Sequence, residues 1–469
     1  MRTTMDRFTA RARRALRSWA DRSPAAARTQ SGRSRSPNPT RVTDRQEAGP
    51  PGKKASKKKP YSLHSAEGVG DAATFVRDQL VTAEHQRVLE RIRRRFADGR
   101  PPRVAFVVSE AEKWSGASLV REMLERGWDL TFPLYPMERK KTTKEELAAE
   151  VARQVDLFEE LGVPVTSHLD SAAGSRTPIE DLDVDIAFVQ QPWGGLQDAP
   201  RRAVGRFLTA YIHYGYMLTA NDDMHYSMPG FHPYIWRFYE QSELHRRMHI
   251  ECEPGVADRI QVVNYPKLDV YAEQDPPWRA ERPTVIFAPH HSLGPRSLRM
   301  GTFDWSADAV LELAESRSDF NWVYKPHPKL EYSLLHDRGW SLEQYRSYQR
   351  RWESVGSIYA GGAYFDHFRT SSAIVTDCGS FLAEYLPTGR PVLWLRAPEP
   401  VGFNRAGNRI ADVLYGISDP GELRTTFDRV LRDGHDDLAA SRRQISHELV
   451  FDGNESAHQV VDDLMATFT

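Results

Sequence analysis

Apolar and polar positions divide the chain into a leader and a body. Over residues 4–22, Met5, Phe8, Ala12, Ala15, Leu16 and Trp19 recur at helical spacing within a sector of about 100°. Arg7, Arg11, Arg13, Arg14 and Arg17 fill the rest of that wheel. Residues 23–60 are mostly Ser, Pro, Gly, Arg and Lys, ending in the basic run 53–59. Such a stretch buries too little apolar surface to offset the entropy of ordering it. Residues 1–68 are therefore expected to be a basic leader, amphipathic first and disordered after, with Gly68 to Ala73 a linker. From about Asp71 the pattern alternates between the two periods. Helices are predicted over 74–96, 116–126 and 144–161, and strands over 103–108, 129–134, 163–166 and 184–190, with a further buried strand and its exit loop over 207–218. The segment 264–283 holds four prolines and few aliphatics, so it reads as a domain boundary. The alternation then resumes, with strands at 284–288, 321–325, 373–376 and 391–395 and helices at 306–315, 380–386, 421–432 and 456–468. Strands alternating with helices predict an α/β protein of two consecutive Rossmann-like domains, 69–265 and 266–469.

Composition sharpens the picture in two ways. Hydrophobic residues make up 40% of the 469, enough for sizeable cores. The formal charge of -1 hides an asymmetry: residues 1–60 carry 17 Lys and Arg against 4 Asp and Glu, leaving an acidic body of net −14. An anionic partner is therefore expected for the leader alone. Cys252 and Cys378 cannot form a disulfide framework, which points to a reducing compartment. The longest uncharged apolar stretch, 207–221, has 15 residues and includes His213, Asn221 and three tyrosines, too short and too polar for a membrane-spanning helix. Arginines break every apolar run near the start, against a cleaved signal peptide.

Several motifs fail on context. Gly68-Val69-Gly70-Asp71-Ala72-Ala73 spells a dinucleotide-binding pattern, but no strand precedes it. Asp183 and Asp185 have the D-x-D form of metal-dependent glycosyltransferases, yet the apolar strand follows them, so both are expected to be solvated at a strand entrance. No P-loop pattern exists. His225 and His232 match no zinc signature and have no cysteine cluster to support them, so no metal is expected.

Three strand-to-loop transitions in the second half make a better constellation. Ala288 leads into Pro289-His290-His291-Ser292, Tyr324-Lys325 into Pro326-His327-Pro328-Lys329, and Thr376 into Asp377-Cys378-Gly379-Ser380. In a parallel sheet all three loops leave the carboxyl edge, where open α/β sheets bind ligands. Gly379 would let the backbone approach an anion at the start of the following helix. Lys325, His327 and Lys329 would add positive charge or hydrogen-bond donors. The plainer alternative is a capped helix with histidines filling loops.

The stretch from Val375 through Asp377, Gly379, Ser380 and Glu384 to Tyr385, followed by Gly389-Arg390-Pro391-Val392, resembles a segment of the CDP-glycerol glycerophosphotransferase family, the teichoic-acid primases and polymerases. Ala288-Pro289-His290 is similar to that family's A-P-T loop, Lys325-Pro326-His327-Pro328 to its (R/K)-x-H-P loop, and the run from Asp452-Gly453 to His458 to its closing element. Tyr211-Ile212-His213-Tyr214-Gly215 sits where the family carries W-H-G-x-x-x-K. Trp is replaced there, and no lysine follows.

The resemblance implies a GT-B fold and attack by an acceptor hydroxyl on the β-phosphorus of CDP-glycerol, with CMP leaving. It implies catalytic roles for His327 and His213, the first donating to the pyrophosphate and the second acting as base. Donor binding would fall to Pro289, His290, Lys325, Asp377, Gly379, Ser380 and Glu384, the last facing the ribose hydroxyls. It calls for no metal and no cofactor. Its lipid-linked acceptor implies work at the inner face of the cell membrane, with residues 4–22 lying on anionic lipid. Two other readings stand beside it: a GT-B glycosyltransferase using a nucleotide sugar for surface polysaccharide, and a nucleic-acid-binding protein suggested by the leader. The acidic body carries no basic, aromatic-studded strand, so no nucleic acid is expected.

Overall fold

Near-continuous apolar runs of four to six residues become strands buried on both faces, the usual fate of such runs in parallel sheets. The computed structural model describes residues 69–109, 114–135, 143–159, 165–167, 169–170, 175–176, 178–272, 281–294, 297–359 and 364–469. The amphipathic stretch 4–22 and the basic run 53–59 lie outside the described residues. The first half contains β1 (Arg103–Phe106), β2 (Asp129–Leu134), β3 (Val165–Ser167), β4 (Leu169–Asp170), β5 (Ser175–Arg176), β6 (Ile186–Val189), β7 (Leu208–Ile212), β8 (Arg237–Glu240) and β9 (Ile260–Val262). Seven of these form one parallel sheet in the order β3-β2-β1-β6-β7-β8-β9, and β4 pairs with β5 as a small antiparallel ribbon. The second half contains β10 (Thr284–Ala288), β11 (Asn321–Tyr324), β12 (Ser357–Ile358), β13 (Ala373–Thr376), β14 (Val392–Leu395) and β15 (Tyr415–Ile417), a parallel sheet in the order β12-β11-β10-β13-β14-β15. Two Rossmann-like halves are therefore what the chain forms. Among the described residues, no helix is long and apolar enough to cross a membrane.

The structure corrects two sequence expectations and adds one helix that the sequence did not announce. Val69 and Gly70 are not linker; they open the long helix Val69–Ala97, with the glycine in its first turn. Asp185 is not solvated. It is buried just before β6, accepts from the Arg103 amide at 2.9 Å and from its guanidinium at 3.1 Å, and lies 3.4 Å from Arg95. Only Asp183 is exposed, with 91% of its side chain in solvent. The helix Leu342–Val355 is also unanticipated. Its buried positions, Tyr345, Tyr348 and Trp352, are aromatics scattered among charges, and Ser341 with Gln344 closes a capping box at its start.

The chain crosses between the halves twice. The first crossing is the segment after β9, where Asn264 takes a left-handed φ of 65° and donates to Asp452 at 2.7 Å. The second is the last helix, Ser456–Phe468, whose Ala457, Val460, Val461, Leu464 and Phe468 fill the core of the first half. Asp269 fastens the crossings together by accepting from the amides of Ser456 at 2.7 Å and Ala457 at 3.1 Å. The loop after β7 also packs on the second half: Asn404 donates to Leu218 O at 2.8 Å and Met217 O at 3.0 Å, and Ala220 donates to Gly402 O at 2.9 Å. Gly407 is required there, because an added Cβ would sit 2.5 Å from Leu218 O.

Candidate functional site

Strand order brings the three candidate loops together. β10 lies between β11 and β13, so the loops carrying His290, His327 and Asp377 leave the same edge side by side. They are tied at the backbone and through Asp377. Pro289 O accepts from the His327 amide at 3.1 Å. Asp377 accepts from the His290 amide at 2.5 Å, the Thr302 amide at 2.6 Å and the Thr302 hydroxyl at 2.8 Å. Burial pushes its carboxyl up to about 6 while these donors pull the other way, so it is a carboxylate at neutral pH. Both its oxygens are engaged by the protein, which makes Asp377 a clamp on the loops.

Two of the histidines are fixed in one tautomer. His327 Nδ1 accepts from the Lys329 amide at 3.0 Å, and His290 Nδ1 accepts from the Ser292 amide at 3.2 Å. A backbone amide can only donate, so each neutral ring carries its proton on Nε2. Burial keeps the rings neutral: His290 is pushed down to about 3, His291 to about 4, and His327 lower still, with the neighbouring histidines and Lys329 adding to it. The rings form one cluster, with His291 and His327 stacked at 3.9 Å between centroids and His290 at 5.1 Å from His327. Ring nitrogens of all three lie within 4.8 Å of one another, close enough to hold a metal ion. The tautomers argue against that use. The Nδ1 lone pairs of His290 and His327 are engaged by amides and their Nε2 atoms bear protons, so the pair is built to donate to an anion rather than to ligate a cation.

Lys325 ends β11 in a box of rings. Its Nζ lies 4.9 Å from the Tyr364 centroid, 5.4 Å from Phe381 and 5.9 Å from Tyr359, and the residue is only 7% exposed. Burial lowers its ammonium to about 8. Glu384 is buried beside it and accepts from the Tyr364 hydroxyl; burial raises its carboxyl, and Lys267 and Lys325 draw it back. Gly379 and Ser380 start the helix Gly379–Glu384, which is only six residues long, so its dipole is small. What approaches the α-carbon of Gly379 is the Met300 side chain, 3.1 Å from where a Cβ would stand. The cationic and hydrogen-bonding capacity of this edge therefore rests on side chains.

His213 leaves β7 on the facing sheet and is 1% exposed, packed on Tyr211 and Tyr226. Its Nε2 lies 3.2 Å from both oxygens of Glu240, the last residue of β8, and His249 Nδ1 lies 2.7 Å from Oε1. The two histidines hold the Glu240 carboxyl well below its usual range despite complete burial. A carboxylate accepts only, so His213 donates to it from Nε2, and the ring's other nitrogen is Nδ1. That atom is buried without a hydrogen-bond partner. Tyr265 joins the two sheets' edges: its hydroxyl donates to Tyr214 O at 3.0 Å, and the Glu384 charge bears on it. Glu240, Lys267 and Tyr364 escaped the sequence reading, because a strand-ending Arg-Phe-Tyr-Glu and a proline-rich segment carry no motif.

No family model matches the chain, and no curated protein matches it. Among solved structures it is similar to a putative UDP-N-acetylglucosamine 2-epimerase from Listeria monocytogenes, with 16% identity and a TM-score of 0.51 over 78% of this chain and 97% of that one. The fold is GT-B-like. A UDP-GlcNAc 2-epimerase from Neisseria meningitidis bound to UDP-GlcNAc (13% identity, TM-score 0.48) covers 78% of this chain and 100% of its own. A glycosyltransferase from Rickettsia africae (11%, 0.42) covers 79% and 99%. Shared architecture at such identity carries the fold and not the chemistry, which has to come from the residues.

Proposed function

We propose that this chain is a transferase that moves glycerol phosphate from CDP-glycerol to a hydroxyl of a lipid-linked cell-wall or capsule glycopolymer, releasing CMP. The observation that carries the reading is the pair of neutral Nε2–H donors, His290 and His327, beside the buried ammonium of Lys325 on one sheet edge. Phosphoryl transfer needs little covalent help from a protein; it needs neutralised phosphate charge and a positioned nucleophile. Lys325 and the two rings meet the first need on the donor pyrophosphate. His213 Nδ1 meets the second by taking the proton as the acceptor oxygen bonds to the β-phosphorus and the bond to the CMP oxygen breaks. That nitrogen is enclosed by its own half, against Tyr211 and Tyr226, so these rings have to move before an acceptor reaches it.

Incubation with CDP-glycerol, CDP-ribitol and UDP-sugars, followed by nucleotide analysis, tests the assignment. CMP release with glycerol phosphate appearing on the polymer is expected. UDP release from a UDP-sugar, with no turnover of either CDP donor, would replace this reading with the nucleotide-sugar glycosyltransferase.

A lipid-linked acceptor also requires the enzyme at the bilayer surface. The arginine-flanked apolar sector of residues 4–22 suits an in-plane helix, and the basic run 53–59 would add roughly 1 kcal/mol per Lys or Arg held near anionic lipid. Removing residues 1–60 should abolish flotation with anionic liposomes while leaving activity on a soluble acceptor analogue intact. Equal flotation of the truncated protein would assign membrane binding to the body.

A further inference from the structure

The rings around Lys325 carry a second cation that no sequence motif marks. Lys267 belongs to the first crossing between the halves, in the short 3-10 helix Pro266–Tyr271, and its Nζ lies 5.1 Å from the centroid of the same Tyr364 ring. Lys325 Nζ lies 4.9 Å from that centroid, so the two nitrogens are at most 10.0 Å apart, the sum of those distances. Neither ammonium has a hydrogen bond or an ion pair within 4.0 Å among the described residues.

The surroundings do not balance them. Among the described residues, Glu384 is the carboxylate shown to bear on both lysines, and one of its oxygens already accepts from Tyr364. Asp377 is spent on its loops. Cys378 faces Lys325 as a neutral thiol, since burial raises it to about 11. The rings of His290, His291 and His327 are neutral. Lys325 is buried and Lys267 half-buried, so two ammonium groups against one carboxylate leave positive charge in excess at a partly enclosed place. Buried charge without a partner is costly, which is the signature of a site completed by a ligand.

We propose that Lys267 and Lys325 form a two-lysine site beside Tyr364 for a diphosphate group, so that the segment joining the halves itself binds the anionic part of the donor. This rests on the reading of the second sheet's edge as the donor site, but not on which nucleoside or which transferred group the donor carries. Lys267 acts here as a binding residue. Because Asp269, two residues on, holds the start of the last helix, a diphosphate gripped by Lys267 also bears on both crossings.

Inorganic pyrophosphate is the probe, titrated calorimetrically into the full-length protein, with CMP and UMP titrated separately. Lys267→Met should weaken pyrophosphate binding at least ~10-fold, as expected for losing one charge-assisted contact, and Lys267→Arg should stay near the parent. Parent affinity should also fall as pH rises through about 8, where Lys325 loses its proton. If Lys267→Met fails to fold, reductive methylation of the parent decides: bound pyrophosphate should slow modification of Lys267 and Lys325. Unchanged affinity in a folded Lys267→Met, no pyrophosphate binding by the parent, or no protection of Lys267 would each overturn the proposal. Pyrophosphate binding intact with UMP preferred to CMP would leave the lysine site standing and remove the CDP donor instead.

Discussion

His327→Ala should lower turnover at least ~100-fold with the fold unchanged, the size of effect seen when a single transition-state donor is removed. The ring is held by its backbone: Pro289 O accepts from the His327 amide, and the Lys329 amide donates to Nδ1, so the Nε2 proton has no freedom to move to the other nitrogen. A neutral donor fixed in this way costs no reorganisation when charge builds on the leaving phosphate. His327→Gln, which keeps an N–H at similar reach, should recover part of the loss. Turnover would be measured from CMP release and folding from circular dichroism. Near-parental turnover in a folded His327→Ala protein would sink the assignment. Full loss of CMP affinity with no separate loss of turnover would reduce His327 to a binding role.

Glu240→Gln should cost a comparable factor, at least ~100-fold in turnover, while CMP affinity stays within about threefold. The carboxylate accepts from His213 and His249 at once and so dictates which nitrogen of His213 holds the lone pair. An amide in its place must turn its NH2 toward one ring, and if that ring is His213 the base is presented on the wrong atom. Where a carboxylate orients a catalytic histidine, exchanging it for an amide can leave the geometry intact and still remove most activity, because the ring takes the wrong tautomer. Weakening buried hydrogen bonds to a charged group also costs stability, ~1.5–3 kcal/mol, so melting temperature must be followed alongside. His213→Ala supplies the check: a folded variant should lose turnover yet bind CMP. Vanished CMP binding, or persisting turnover, would make His213 a packing residue and move the search for the base to His290 or His291.

The architecture was legible because parallel strands announce themselves. Thr284 to Ala288 and Ala373 to Thr376 are apolar without interruption between their end threonines, and polar residues begin where each strand stops, so the carboxyl edge could be located from letters alone. The loop residues His290, Lys325, His327 and Asp377 followed from that. Their division of labour did not. Asp377 reads like a ligand-binding carboxylate until its two oxygens are seen to hold the loops, and Gly379 reads like a phosphate cradle until Met300 is seen beside it. Glu240 lies 27 positions from His213, on the neighbouring strand, and no local periodicity links a strand's last residue to a partner across the sheet. Lys267 was invisible for a similar reason. A proline-rich stretch looks like a spacer, and only the tertiary fold sets it against Tyr364.

The placement of the last helix bears on how the protein is made. Val460, Val461, Leu464 and Phe468 belong to the core of the half that is synthesised first. On the ribosome that half must wait with part of its apolar surface uncovered while the whole second half is translated, at roughly 5–20 residues per second. A released chain that ends before Ser456 should therefore be more aggregation-prone than one that ends after Phe468.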